Sequence, residues 1–164
     1  MSETLKVTTP SDREIVVTRL FDAPRTLVFD CMSKPELVKR WLLGPPGWTM
    51  PVCEIDFRVG GRYRYVWRGP DASEMGMGGV YREIVPPERI VQTELFDQDW
   101  TGGETLSTAN FNEEASRTTL TITVVYASKE ARDGALRTGM TEGMSAGYDR
   151  LEELLASMIA GEVE

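Results

Sequence analysis

The chain has 164 residues, 41% hydrophobic and 27% charged, with a formal net charge of −8 and no histidine. That length suits one domain able to bury a proper core, while an isoelectric point near 4.7 and scattered Lys and Arg argue against nucleic acid as a partner. Without histidine the usual general base and the commonest zinc ligand are missing, and two cysteines cannot complete a zinc site, so neither a metal nor another cofactor is expected.

The opening MSETLKVTTPSDRE is polar, lacks the apolar stretch of a secretory signal, and reads as a flexible arm over residues 1–13. No apolar run is long enough to span a bilayer, and Cys31 and Cys53 read as reduced, buried thiols, so the expected location is the cytoplasm. A single domain is expected over residues 14–160, followed by a short tail at 161–164.

From Glu14 the segment EIVVTRLF is rich in β-branched residues and predicts a strand. Asp22-Ala23-Pro24 offers a cap and a helix-starting proline, predicting a short helix that holds Leu27, Val28 and Cys31. Ser33 and Glu36 have capping-box spacing around Pro35, predicting a second short helix to Leu42. GPPGW then breaks the pattern.

Between Met50 and Tyr126 six strands follow, separated by turn signals: PVCEIDF, RYRYVWR, GMGGVYREIV, RIVQTELF, ETLSTANFN and RTTLTITVVY. In the second, Tyr63, Tyr65 and Trp67 share one face and Arg62, Arg64 and Arg68 the other. In the last, Leu120, Ile122, Val124 and Tyr126 form the buried row. After Ser128 a short helix ends at Gly139, and from Met140 to Ala160 apolar residues recur at helical spacing. Such a helix must lay its apolar stripe, Met140 through Met158, on the concave face of the sheet.

This order of strand, two short helices, six strands and long C-terminal helix resembles the helix-grip fold of the Bet v 1-like (START, SRPBCC) superfamily: α+β, a curved antiparallel sheet of about seven strands wrapped around one helix. FDAPRTLVFD, the helix ending in Trp41 before GPPGW, VCEIDFRVGGRYRY, GGVYREIVPPERIVQTE and MSAGYDRLEELLA are similar to the family named for the C-terminal domain of the activator of the heat-shock protein 90 ATPase. The resemblance covers roughly residues 14 to 160. It implies a cavity between sheet and helix that holds a small hydrophobic molecule, in a carrier or sensor role. Its alternatives are a cyclase- or hydrolase-like enzyme on apolar or polyketide-like substrates, and a chaperone-interacting module. No catalytic motif is carried over.

Large, adaptable or semi-polar side chains fit such a cavity: Trp41, Trp48, Tyr63, Tyr65, Trp67, Tyr81, Met140, Met144 and Tyr148 are the expected lining. Gly139, Gly143 and Gly147, four apart, either make space for a ligand or allow close packing. Trp48 either gates a pocket mouth or anchors the proline loop. Glu54 and Asp56, on one strand face, are an acid and base pair if buried and a wetted pair otherwise. The three arginines opposite the aromatic row are read as a solvated face, and the GMGGV glycines as permitting a bulge. Exposed sheet edges make a homodimer conceivable.

Overall fold

A computed structural model describes residues 5–43, 46–98 and 101–161; Gly44 and Pro45 of the proline loop, the first four residues of the arm and the last three of the tail lie outside them. Its elements are β1 (Lys6–Thr8), β2 (Glu14–Phe21), α1 (Arg25–Ser33), α2 (Pro35–Trp41), β3 (Thr49–Ile55), β4 (Arg62–Arg68), β5 (Glu74–Val85), β6 (Arg89–Phe96), β7 (Thr105–Glu114), β8 (Arg117–Val125), α3 (Lys129–Leu136) and α4 (Met140–Ile159). One antiparallel sheet of eight strands runs β1-β2-β8-β7-β6-β5-β4-β3. The α+β, helix-grip architecture is as the sequence predicts, with one strand more.

That extra strand corrects the reading of the arm. Lys6, Val7 and Thr8 pair with Thr18, Val17 and Val16, so the arm covers backbone groups that would otherwise make β2 a free edge. Side chains fasten both flanks of the turn between β1 and β2: Arg13 Nε donates to the Tyr126 carbonyl at 2.8 Å, and Arg132 Nη1, from α3, donates to the Ser11 carbonyl at 2.7 Å.

Two expected helix caps are also corrected. Asp22 does not cap α1; Pro24 occupies that position without a side-chain bond, and the free Arg25 amide is taken instead by the Glu113 carboxylate of β7 at 2.8 Å. Ser33 does not cap α2. It closes α1, its hydroxyl donating to the Phe29 carbonyl at 2.9 Å, and Lys34 stands at the N-cap position. At α1 a tertiary partner thus satisfies a group that a local motif was expected to serve.

Alternation is clean where one sheet face meets the helix. Ile15, Val17, Arg19 and Phe21 of β2 point inward, as do Tyr63, Tyr65 and Trp67 of β4 and Leu120, Ile122 and Val124 of β8. On α4, Gly147, Tyr148, Leu151, Leu154 and Leu155 are buried, forming the stripe that packs into the sheet. Arg19, only 2% exposed, is the exception to an apolar interior. Its Nη1 meets Asp149 at 2.9 Å and its Nη2 meets Glu152 at 3.5 Å, both from α4, and its guanidinium lies over the Phe21 ring at 5.2 Å.

Among the glycines of β5, Gly79 has the clearest reason. A Cβ there would lie 1.9 Å from the Thr93 carbonyl oxygen and 2.9 Å from the Tyr63 ring, so close strand approach, not the expected bulge, requires glycine. The irregularity in pairing with β6 falls later, between Tyr81 and Glu83.

Candidate functional site

Between the concave face and the start of α4 lies a cavity of about 530 Å³, within the range of small-molecule sites. Its existence follows from side-chain size. The inward row of β7 is Thr105, Ser107 and Ala109, three small residues in the middle of the sheet, and the facing part of α4 offers Gly139 and Gly143. Where larger residues would have met, space remains.

Aromatic and sulfur-bearing side chains supply the walls. Trp41 and Leu42 enter from α2, Trp48 from the loop after it, Tyr65 and Trp67 from β4, Met75 and Met77 from β5, Tyr126 from beyond β8, and Met140, Met144 and Tyr148 from α4. Trp41 Nε1 donates to the Cys31 carbonyl at 2.8 Å and Trp67 Nε1 to the Leu42 carbonyl at 2.7 Å. Both indoles therefore have their polar atom satisfied elsewhere and turn ring surface to the cavity. The Tyr126 hydroxyl reaches Met140 Sδ at 3.6 Å.

Seven of the nine expected lining residues meet here: Trp41, Trp48, Tyr65, Trp67, Met140, Met144 and Tyr148. Tyr63 and Tyr81 do not. The Tyr63 hydroxyl donates to the Thr93 carbonyl at 2.6 Å, and Tyr81 packs against Phe57 and Tyr63 with centroids 5.1 and 5.3 Å apart, so both serve the core. Trp48 lines the cavity, and a Cβ on Gly69 would lie 3.1 Å from its ring. All three glycines of the row border the cavity, and Gly147 also lies against Trp41, whose carbonyl oxygen would be 3.4 Å from an added Cβ.

Glu54 and Asp56 are exposed on the outer face, where Asp56 pairs with Arg58 at 2.9 Å and Glu54 stands opposite Arg64 in the β3–β4 register. They are not an acid and base pair. Two of the three arginines of β4 are engaged too, Arg64 with Asp97 and Arg68 with Glu74. A broader depression of about 1110 Å³ lies over this outer face, but it is edged by charged side chains such as Arg64 and Asp97, and the apolar, aromatic-walled inner cavity is the better small-molecule site. Both thiols are free and held protonated, Cys31 up to about 12 and Cys53 up to about 11, chiefly by burial.

The carboxylate inside the cavity is Glu94, a residue that sequence patterning does not single out. In β6, Gln92, Glu94 and Phe96 face the cavity while Leu95 points outward, 46% exposed. Glu94 is half-buried, and its Oε1 is reached by the Thr105 hydroxyl at a long 3.4 Å. Burial pushes its carboxyl up to about 7, the Thr105 contact only partly opposing it. Glu94 in turn helps burial hold the Tyr63, Tyr126 and Tyr148 phenols above their ordinary values. Its signal in the sequence is an inverted row, with Gln92 and Glu94 flanked by Ile90 and Phe96.

The family model for Activator of Hsp90 ATPase homolog 1-like proteins matches residues 22–156. Among solved structures, a Rhodobacter sphaeroides protein is 32% identical with a TM-score of 0.88, the match covering 93% of this chain and 98% of that one. Protein Ms6760 from Mycobacterium smegmatis is 26% identical with a TM-score of 0.81, covering 93% and 96%. An HSP90 activator from Plasmodium falciparum shares the fold at 20% identity and a TM-score of 0.63, covering 88% and 96%. Comparison with curated proteins finds no match.

Proposed function

This chain belongs to the family of Activator of Hsp90 ATPase homolog 1-like proteins, and within it we propose that the chain binds a small, mostly apolar molecule between sheet and α4, as a carrier or sensor. The observation that carries this is the roughly 530 Å³ chamber walled by Trp41, Trp48, Trp67, Met140 and Met144. A chamber lined that way is favourable to fill with apolar matter, since burial is worth about 25 cal/mol per Å². Thioether side chains deform to fit irregular occupants.

The enzymatic reading loses its expected carboxylates, because Glu54 and Asp56 lie outside the chamber. The activator role borne by the Plasmodium falciparum relative belongs to that protein.

Native mass spectrometry of gently purified protein, repeated after organic extraction, tests the proposal. A reproducible added mass that extraction removes supports it. Bare protein in both samples, together with no uptake of a neutral apolar dye such as Nile red at saturating concentration, contradicts it.

A further inference from the structure

We propose that the chamber selects an apolar molecule bearing one basic nitrogen, whose protonated form sits against the Glu94 carboxylate. This rests on the cavity reading and narrows its ligand class. Three observations converge on it. First, among the described residues Glu94 forms no ion pair, and its one side-chain contact is the long Thr105 hydroxyl bond. Among the described residues the two buried arginines are both answered, Arg19 by Asp149 and Glu152 and Arg132 by Asp133. A carboxylate in an apolar chamber with no cation supplied by the chain either takes up a proton or accepts a cation from outside, and above about pH 7 the second gains most.

Second, the chamber walls are suited to that cation. Trp41 and Trp67 have committed their N–H groups to backbone carbonyls, and together with Trp48, Tyr65 and Tyr148 they turn aromatic surface toward the same space. Ring faces attract ammonium groups, most strongly when desolvated. Third, the chain's net charge of −8 favours the approach of cations over anions. Neutral and anionic apolar molecules gain the burial but not the charge pair, and anions are repelled by Glu94. The titratable groups that sense Glu94 are the Tyr63, Tyr126 and Tyr148 phenols, neutral across the working range.

The test compares 2-(naphthalen-1-yl)ethylamine with 2-(naphthalen-1-yl)ethanol, nearly isosteric probes, by titration calorimetry at about pH 8. A charge-assisted hydrogen bond predicts that the parent protein binds the amine about 10-fold or more tightly than the alcohol. In Glu94→Gln, shown to be folded by circular dichroism, the amine preference falls to within about 2-fold. In the parent alone, lowering the pH to about 5 reduces the amine preference, because the carboxyl takes up a proton while the amine stays charged. Equal affinity for both probes in the parent, or an amine preference that survives both Glu94→Gln and acidification, overturns the inference and leaves the cavity reading standing. Binding of neither probe overturns both.

Discussion

The indole of Trp41 lies stacked on the phenol ring of Tyr148, centroids 5.6 Å apart and planes inclined by 28°. This contact joins α2 to α4 and closes one wall of the chamber, and it is possible because the neighbouring position on α4 is Gly147. An added Cβ there would stand 3.4 Å from the Trp41 carbonyl oxygen and 3.8 Å from its ring.

Substitution at Gly147 therefore depends on size. Gly147→Ala gains helix propensity of about 1 kcal/mol that offsets a slightly tight contact, leaving the melting temperature within about 3 °C of the parent. Gly147→Val pushes a branch into Trp41 and lowers the midpoint by roughly 4–8 °C, as overpacking typically does. Thermal denaturation followed by circular dichroism distinguishes them, and equal midpoints would mean that Trp41 is not packed on α4 here.

Ala109 sets the floor of the chamber from β7. Ala109→Phe fills the space that a ligand would occupy, so Nile red affinity falls about 10-fold or more while the protein remains folded with a midpoint within about 5 °C. Undiminished dye binding by the folded variant would place the dye elsewhere.

Stability should carry a mark of Glu94. Its folded-state carboxyl titrates near 7 against an ordinary value of 4.5, so folding takes up a proton between those limits. The associated stabilisation is full below about 4.5 and lost above about 7. Glu94→Gln, which never charges, is therefore more stable than the unliganded parent at about pH 8, by roughly 2–6 °C, and no more stable at about pH 4. A midpoint difference that does not change with pH would contradict this.

Arg19 poses a different question, because its charge is buried and answered. Replacing it with Met keeps the volume and removes the desolvation, so Arg19→Met stays within about 1–2 kcal/mol of the parent. Removing both acceptors, Asp149→Asn with Glu152→Gln, leaves a guanidinium 2% exposed with no counter-charge from α4 and costs about 2–4 kcal/mol. Urea denaturation should give that order, and the reverse order would mean that the ion pairs, not the burial, dominate.

Most of the fold was legible because α4 and the six-strand meander have strong, opposite periods, as in RYRYVWR against the Met140–Met158 stripe. The caps were not, since Glu113 serves the Arg25 amide from 88 positions away, a relation no local pattern encodes. The aromatic wall of the chamber was legible from residue type, but Tyr63 and Tyr81 have the same chemistry and burial as Tyr65 and differ in what they pack against. Glu94 was hidden for a sharper reason. Alternation says that neighbours face opposite ways, and hydrophobicity then assigns the inner face. In TEL that rule sends Leu95 inward and Glu94 outward, the reverse of what the sheet does. Thr105, Ser107 and Ala109 were equally silent, because small inward residues carry meaning only once the facing glycines of α4 are in place.

The methionines offer the most direct test of the central claim that the chamber binds a small apolar molecule. Met32, Met75, Met77, Met140 and Met144 line it, whereas Met50 and Met158 do not. With methyl-labelled methionine, titration of 2-(naphthalen-1-yl)ethanol should shift the signals of those five methyl groups by ring current and leave Met50 and Met158 in place. An unchanged spectrum at saturating probe, or shifts confined to Met50 and Met158, would contradict the account.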